Sequence, residues 1–239
     1  MILSSSDSTD TKVAAFNRML HGRLPGAELG FQAVPECNGL NLLLIQPGFD
    51  PRLLSGDQLE KLSDDPPYWI FCWASGRAMA RRILAGRLDV RDKVVADFGA
   101  GSGVVAIAAK MAGAKRVFAC DIDATCRELT QLNAAFNQVD VEVVSSLDEV
   151  QCALDLVVAS DVLYEAANLR FLDMMLGVCA DVLVADSRLK SMPDKRFRYI
   201  DRVYTTSFPD YQEALENNEV RFYRSQWPPS GSVAEAKET

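Results

Sequence analysis

Between residues 93 and 187 the chain alternates short, uninterrupted apolar runs with segments of helical period. The runs Lys93-VVADF-Gly99, KRVFACD, DVEVVSS, LDLVVASD and DVLVADS are rich in Val, Ala and Leu. Strands buried on both faces of a parallel sheet read this way, whereas a strand with one wet face alternates apolar and polar residues. Between the runs lie GVVAIAAKMAG, DATCRELTQLNAAFNQ and NLRFLDMMLGVCA, and SGRAMARRILAG precedes the first of them. Each carries apolar residues at helical spacing. Repeated βα units of this kind predict a doubly wound, mostly parallel α/β sheet. Near the end, DRVYTTSF and EVRFYRSQ alternate, which predicts an antiparallel hairpin and a sheet of seven strands.

The flanking text is different. Residues 11–65 read as an N-terminal elaboration with Pro- and Gly-containing loops, one strand candidate in GLNLLLIQPG and a short helix over DQLEKLSDD. It has too few apolar residues for a core of its own. Residues 1–10 and 228–239 are small and polar and are expected to be disordered, which leaves 66–227 as the α/β domain.

Composition removes several partners and chemistries. With 25 Lys plus Arg against 33 Asp plus Glu, the formal charge is −8, a poor match to a polyphosphate surface. Arg77, Arg81, Arg82 and Arg87 are spaced like the solvated face of a helix. Arg188, Lys190, Lys195, Arg196 and Arg198 follow a predicted strand, where a cleft mouth would lie. No apolar stretch approaches the roughly 18 residues of a membrane span. MILSSSDSTDTK lacks a basic segment followed by an apolar one, so no secretory signal is expected and a cytoplasmic location is. Six cysteines include no C-x-x-C pair, and His21 is the single histidine, so no metal site is expected.

The densest chemical signal is Asp97-Phe98-Gly99-Ala100-Gly101-Ser102-Gly103, between the first parallel strand and a helix. Ligands of open α/β sheets sit at the carboxyl ends of the strands, where strand order reverses. Glycines there let backbone N–H groups approach a ligand that Cβ atoms would hold off. A dinucleotide site wants G-x-G-x-x-G and a helix N-terminus aimed at pyrophosphate. Here the third glycine comes one residue early, Val104 stands where Gly or Ala is wanted, and Asp97 adds negative charge two positions before the first glycine. A cationic ligand without phosphate, such as S-adenosylmethionine, suits that spacing; a nicotinamide dinucleotide does not.

Three further segments converge on the same crevice. Asp121 ends RVFACD about twenty residues beyond the loop, where a carboxylate can accept both hydroxyls of a ribose. Asp123 is better placed to cap the following helix. Ser145-Ser146-Leu147 falls where a polar contact to adenine would come, and a bare turn accounts for it equally well. Ala159-Ser160-Asp161-Val162-Leu163-Tyr164 leaves the strand LDLVVAS; its other reading is a helix cap at Asp161 and a packing aromatic at Tyr164. The aromatic run Pro66-Pro67-Tyr68-Trp69-Ile70-Phe71-Cys72-Trp73-Ala74-Ser75-Gly76 either packs as core or walls the crevice.

Together these segments resemble the seven-strand S-adenosylmethionine-dependent methyltransferases. More narrowly they resemble the protein lysine methyltransferases with a (D/E)-x-x-(Y/F) signature, matched by Asp161 to Tyr164. PPYWIFCWASGRAMARRIL, KVVADFGAGSGVVAIAAKMAGAKRV and ACDIDATC are similar to the electron-transfer-flavoprotein β-subunit lysine methyltransferase family and its bacterial relatives, over about residues 66–225. There are two departures. Ala74-Ser75-Gly76 follows Trp73 in place of Pro-Gly-Gly, and Asp186-Ser187-Arg188 replaces DPGR-like text.

The resemblance implies S-adenosylmethionine as methyl donor and no metal. Its contacts would come from Trp73 and Gly76, from Asp97, Gly99, Ala100, Gly101 and Gly103, from Asp121 and Ile122, from Ser146 and Leu147, and from Ser160. It also implies an acceptor lysine on a protein (electron-transfer flavoprotein β-subunit or a ribosomal protein), oriented by Asp161 in a channel shaped by Tyr164. Neither nucleic acid nor a membrane is implied as partner. Two readings stand beside it: a small-molecule N- or O-methyltransferase with the same cofactor site, and a non-catalytic binding protein of the same fold. Oligomeric state leaves no mark on the sequence.

Overall fold

The computed structural model describes residues 5–226 apart from 51, 53, 65, 212 and 213. Helix α1 (Ser5–Arg23), the hairpin β1 (Leu29–Ala33) and β2 (Asn41–Ile45), and helix α2 (Gly56–Asp64) come first. Then follow α3 (Ala74–Leu84), β3 (Val94–Phe98), α4 (Val104–Met111), β4 (Arg116–Cys120), α5 (Ala124–Phe136) and β5 (Glu142–Val144). The chain continues through β6 (Leu156–Ser160), α6 (Arg170–Val178), β7 (Val182–Asp186), β8 (Phe197–Tyr204) and β9 (Glu219–Ser225).

The main sheet has seven strands in the order β5-β4-β3-β6-β7-β9-β8. The first five are parallel, and β9 runs antiparallel to both of its neighbours. Fold class and closing hairpin are as the sequence predicts. The hairpin's first strand starts earlier than expected, at Phe197, because its pairing with β9 runs from Phe197↔Ser225 to Tyr204↔Glu219. Strand order reverses between β3 and β6, so the crevice beyond the carboxyl ends of β3, β4, β6 and β7 is where this architecture receives a ligand.

Burial explains the continuous apolar runs. Leu156, Val157, Val158 and Ala159 of β6 are fully enclosed. Val158 joins α3 and α4 residues in one core cluster, while Val157 and Ala159 join α6 residues in the other.

The N-terminal region corrects two expectations. Residues 5–10 begin helix α1 rather than a disordered tail, and residues 11–65 hold a full hairpin rather than one strand. Leu42 and Leu44 of β2 enter the main core, while Leu43 and Ile45 pack with Phe16, Leu20 and Trp69 against Leu129 and Leu132 of α5. Asn133 on α5 latches this layer to the glycine loop: Leu43 N–H donates to its Oδ1 at 2.8 Å, and its Nδ2 donates to the Ser102 carbonyl at 2.8 Å. The tail 228–239 lies outside the described residues.

Arg77 is a third correction. Expected on a solvated helix face, it is only 8% exposed, and its guanidinium donates to the carbonyls of Pro35 and Thr206 and to Glu36. Arg82 likewise pairs with Asp201 and lies over the Phe222 ring. Arg77 and Arg81 pair with Glu36 in the turn between β1 and β2, and Arg82 reaches β8, so the arginines of α3 tie the N-terminal hairpin and the outer hairpin to it. Among the described residues there is no group of His, Cys, Asp and Glu fit to hold a metal, and no helix is long and apolar enough to cross a membrane.

Candidate functional site at the strand ends

The glycine loop connects β3 to α4. Gly101 and Gly103 both have positive φ, 54° and 80°, for different reasons. A Cβ on Gly103 would lie 2.8 Å from Thr130 Cγ2 and Oγ1, so α5 already fills that space. A Cβ on Gly101 would meet nothing within 4 Å. Glycine is needed there for backbone shape, and the space beside it is open. Gly101→Ala is therefore expected to lose roughly 1–2 kcal/mol from the left-handed backbone alone. Gly103→Ala adds overpacking of roughly 1–3 kcal/mol. Urea denaturation checks this; equal losses for the two variants would contradict the assignment of open space at Gly101.

Asp121 leans into that space from the end of β4. Its Oδ2 accepts the Gly101 N–H at 2.8 Å and its Oδ1 accepts the Asp123 N–H at 2.9 Å. A carboxylate offers about four lone-pair sites, so roughly half remain for hydroxyl donors. Asp123, not Asp121, caps α5, accepting the Thr125 N–H at 2.8 Å. Burial raises the Asp121 pKa, and the two backbone N–H donors oppose the rise. Next to it Ile122 is 91% exposed, an apolar side chain standing bare on the crevice rim.

Asp97 takes a different position from the one expected. It is enclosed beneath the loop, where its Oδ2 accepts the Ala106 N–H at 3.0 Å and fixes the first turn of α4. Burial pushes its pKa up to about 7, against the pull of that N–H. Asp97 supports the loop rather than facing the crevice. Gly76 is likewise buried in α3 against Val104, and Leu147 is buried. The Ser146 hydroxyl caps its own turn by accepting the Asp148 N–H at 3.2 Å.

Asp161 has the richest set of partners. Its backbone is in the left-handed region at φ 54°. Its Oδ1 accepts the Ser75 hydroxyl at 2.6 Å, the Ser187 hydroxyl at 2.8 Å and the Ser187 N–H at 3.0 Å, and its Oδ2 accepts the Ser75 N–H at 3.0 Å. The carboxylate thus joins the start of α3 to the end of β7. Both serines stand at the two places where the sequence departs from the family text it resembles. One acceptor direction, on Oδ2, remains open. Beside it Asp186, which sequence reasoning passed over, is fully buried and accepts the N–H groups of Leu163, Arg188 and Leu189. Burial and the Asp161 charge both raise its pKa. Its one sequence signal was an acidic residue at the end of an apolar run. The buried Ser160 Oγ, next to Asp161, has no partner among the described residues.

The aromatic run divides. Trp69 and Ile70 are core. Tyr68, at 49% exposure, turns its ring toward Tyr164, with centroids 6.3 Å apart, and lies 5.9 Å from Trp73. Trp73 Nε1 donates to the Tyr68 carbonyl at 2.7 Å, which holds both rings at the crevice mouth. The site therefore combines a strand-end carboxylate, an open backbone cradle, a bare apolar rim and an aromatic mouth beside a second, clamped carboxylate.

Known proteins resemble the chain in sequence and in fold. The ribosomal protein L11 methyltransferase (PrmA) family model matches residues 79–169. The human electron transfer flavoprotein beta subunit lysine methyltransferase is 39% identical over 102 residues, covering 41% of this chain and 39% of that protein. The ribosomal protein L11 methyltransferase of Acinetobacter baumannii is 48% identical over 54 residues, covering 23% of this chain and 18% of its own length. The chain thus spans well under half the length of these curated relatives. Magnesium protoporphyrin IX methyltransferase from Synechocystis, solved with bound SAM, shares the fold at a TM-score of 0.51 and 13% identity, over 94% of this chain and 99% of that one.

Proposed function

From the premise that this chain carries the seven-strand fold of S-adenosylmethionine-dependent methyltransferases, we propose that it transfers a methyl group to a lysine amine on a protein. The observation that carries the proposal is Asp121 hydrogen-bonded to the Gly101 N–H beside open space, with Ile122 bare next to them. Those residues fit the donor. Asp121 would take the ribose hydroxyls, the Gly101 backbone would approach the ligand closely, and Ile122 would cover one face of the adenine. The donor supplies an electrophilic methyl group on a sulfonium.

The chain's own residues then have three tasks. They hold the amine in line with the methyl group, where proximity and orientation are worth ~7–11 kcal/mol of barrier. They also ease deprotonation of an ammonium with pKa near 10.4, which at neutral pH costs roughly 4–5 kcal/mol. The open direction on Asp161 Oδ2 suits a hydrogen bond from that ammonium while its proton leaves to water. Tyr68, Trp73 and Tyr164 exclude water from the alkyl stem, and their ring faces favour the cation. A protein acceptor is supported by the names of the relatives, which are a flavoprotein-subunit lysine methyltransferase and a ribosomal protein methyltransferase.

Incubation of the full chain with tritiated S-adenosylmethionine and a cell extract tests the reading. Methyl-lysine recovered from labelled protein after acid hydrolysis is expected. Label confined to small molecules would replace the protein acceptor with a small-molecule one.

A further inference from the structure

The loop after β7 and the outer hairpin carry a charge opposite to that of the molecule. From Ser187 to Tyr204 there are six Lys and Arg against two Asp, in a chain whose formal charge is −8. Some of these cations are neutralised locally: Arg196 pairs with Asp194 and Asp173. Lys195 and Arg198 are exposed and form no ion pair among the described residues. Alternation along the hairpin places Tyr199, Arg202, Arg221 and Tyr223 on one face, and the loop folds over them. Together they line a cavity of about 370 Å³ with Lys190 and Glu219.

Three cations against one carboxylate leave this cavity positive. Glu219 is shared between Arg202 at 3.0 Å and Arg221 at 2.9 Å, and among the described residues Lys190 reaches the Glu216 carbonyl, at 3.3 Å, and no carboxylate. Arg221 has a further demand, since its Nη1 is buried without a hydrogen-bond partner among the described residues. A buried guanidinium nitrogen short of an acceptor is costly and leaves the Arg221 charge incompletely compensated beneath the cavity. The loop after β7 borders both the cavity and the crevice. Within one short loop, Ser187 holds Asp161, Arg188 lies 5.9 Å from the Trp73 ring centroid, and Lys190 lines the cavity.

We propose that this cationic cavity docks an acidic segment of the methyl-acceptor protein, taking Asp or Glu carboxylates that flank the acceptor lysine. The docking function rests on the proposed lysine methylation; the binding site itself does not. Carboxylates are favoured over nucleic-acid phosphates because the molecule's overall negative charge repels a long polyanion, whereas a short acidic segment meets only the local positive field.

The probe is a fluorescein-labelled oligoglutamate peptide, followed by anisotropy at low salt. Its oligoglutamine counterpart and an oligothymidylate of equal charge are titrated in parallel. The parent is expected to bind oligoglutamate and to ignore oligoglutamine. Lys190→Glu and Arg202→Gln are each expected to weaken that binding about tenfold, a free-energy change of about 1.4 kcal/mol. Lys115→Glu, an equal charge change to Lys190→Glu but at the amino end of β4, is expected to leave it within twofold. No binding by the parent, equal weakening by Lys115→Glu, or tighter binding of the oligothymidylate would each overturn the proposal. Calorimetry with S-adenosylhomocysteine on the same proteins separates the two readings. Loss of oligoglutamate binding with intact cofactor binding condemns the docking site alone, and intact oligoglutamate binding without cofactor binding condemns the methyltransferase reading alone.

Discussion

Asp121→Ala is expected to weaken S-adenosylhomocysteine binding by about tenfold to several hundredfold. Hydrogen bonds to a charged acceptor contribute roughly 1.5–3 kcal/mol, and each 1.4 kcal/mol is about tenfold in affinity. The sequence alone presents Asp121 as a strand-end carboxylate that carries no core packing and, at most, caps the following helix. The structure adds two, since it accepts the N–H groups of Gly101 and Asp123. Removing it frees both donors near the crevice rim, so a stability loss of roughly 1–3 kcal/mol accompanies the loss of affinity. Calorimetry on the folded variant, with its melting curve measured with and without ligand, checks both. Unchanged affinity in a destabilised variant would assign Asp121 a purely structural role.

Asp161→Asn is expected to slow single-turnover methyl transfer by about 10²-fold or more, the scale of misplacing a reacting group, with cofactor affinity near that of the parent. In a helix cap this exchange is close to silent. Asp161 is not in that situation. Its two oxygens face four donors from Ser75 and Ser187, and an amide replaces one acceptor with an NH₂. If the retained oxygen stays on the Ser187 side, the NH₂ confronts the Ser75 N–H, at roughly 1–3 kcal/mol for an unsatisfied donor. Ser75→Ala and Ser187→Ala keep both backbone donors and remove only the hydroxyls, so each is expected to reduce turnover less than Asp161→Asn does. A parent-like transfer rate in Asp161→Asn would remove Asp161 from the reaction.

What the sequence discloses follows from how local each cause is. Strands β3, β4, β6 and β7 are legible because burial on both faces leaves continuous Val, Leu and Ala, and the ends of β4 and β6 place Asp121 and Asp161 without further information, whereas Asp97 turns under the loop. Strand β1 is hidden although Leu29, Phe31 and Ala33 alternate with Gly30 and Gln32, because it is only five residues long and stands between the turn residues Gly26 and Pro35. Gln32 is explained only by its partners, the carbonyls of Leu44 and Ile45. Helix α1 is hidden because its polar first turns carry no apolar period, and Phe16 and Leu20 anchor it only later. The Asp161 clamp depends on residues 86 and 26 positions away, a distance over which no motif operates. The two departures at Ser75 and Ser187 are visible one by one, and only the fold brings their hydroxyls onto a single carboxylate.

The central claim, a cofactor site for S-adenosylmethionine in the crevice formed by Gly101 and Asp121, is tested most directly by calorimetric titration of the full chain with S-adenosylhomocysteine and, separately, with NAD. Saturable binding of the former with no heat from the latter is predicted. Binding of NAD without binding of S-adenosylhomocysteine would contradict it.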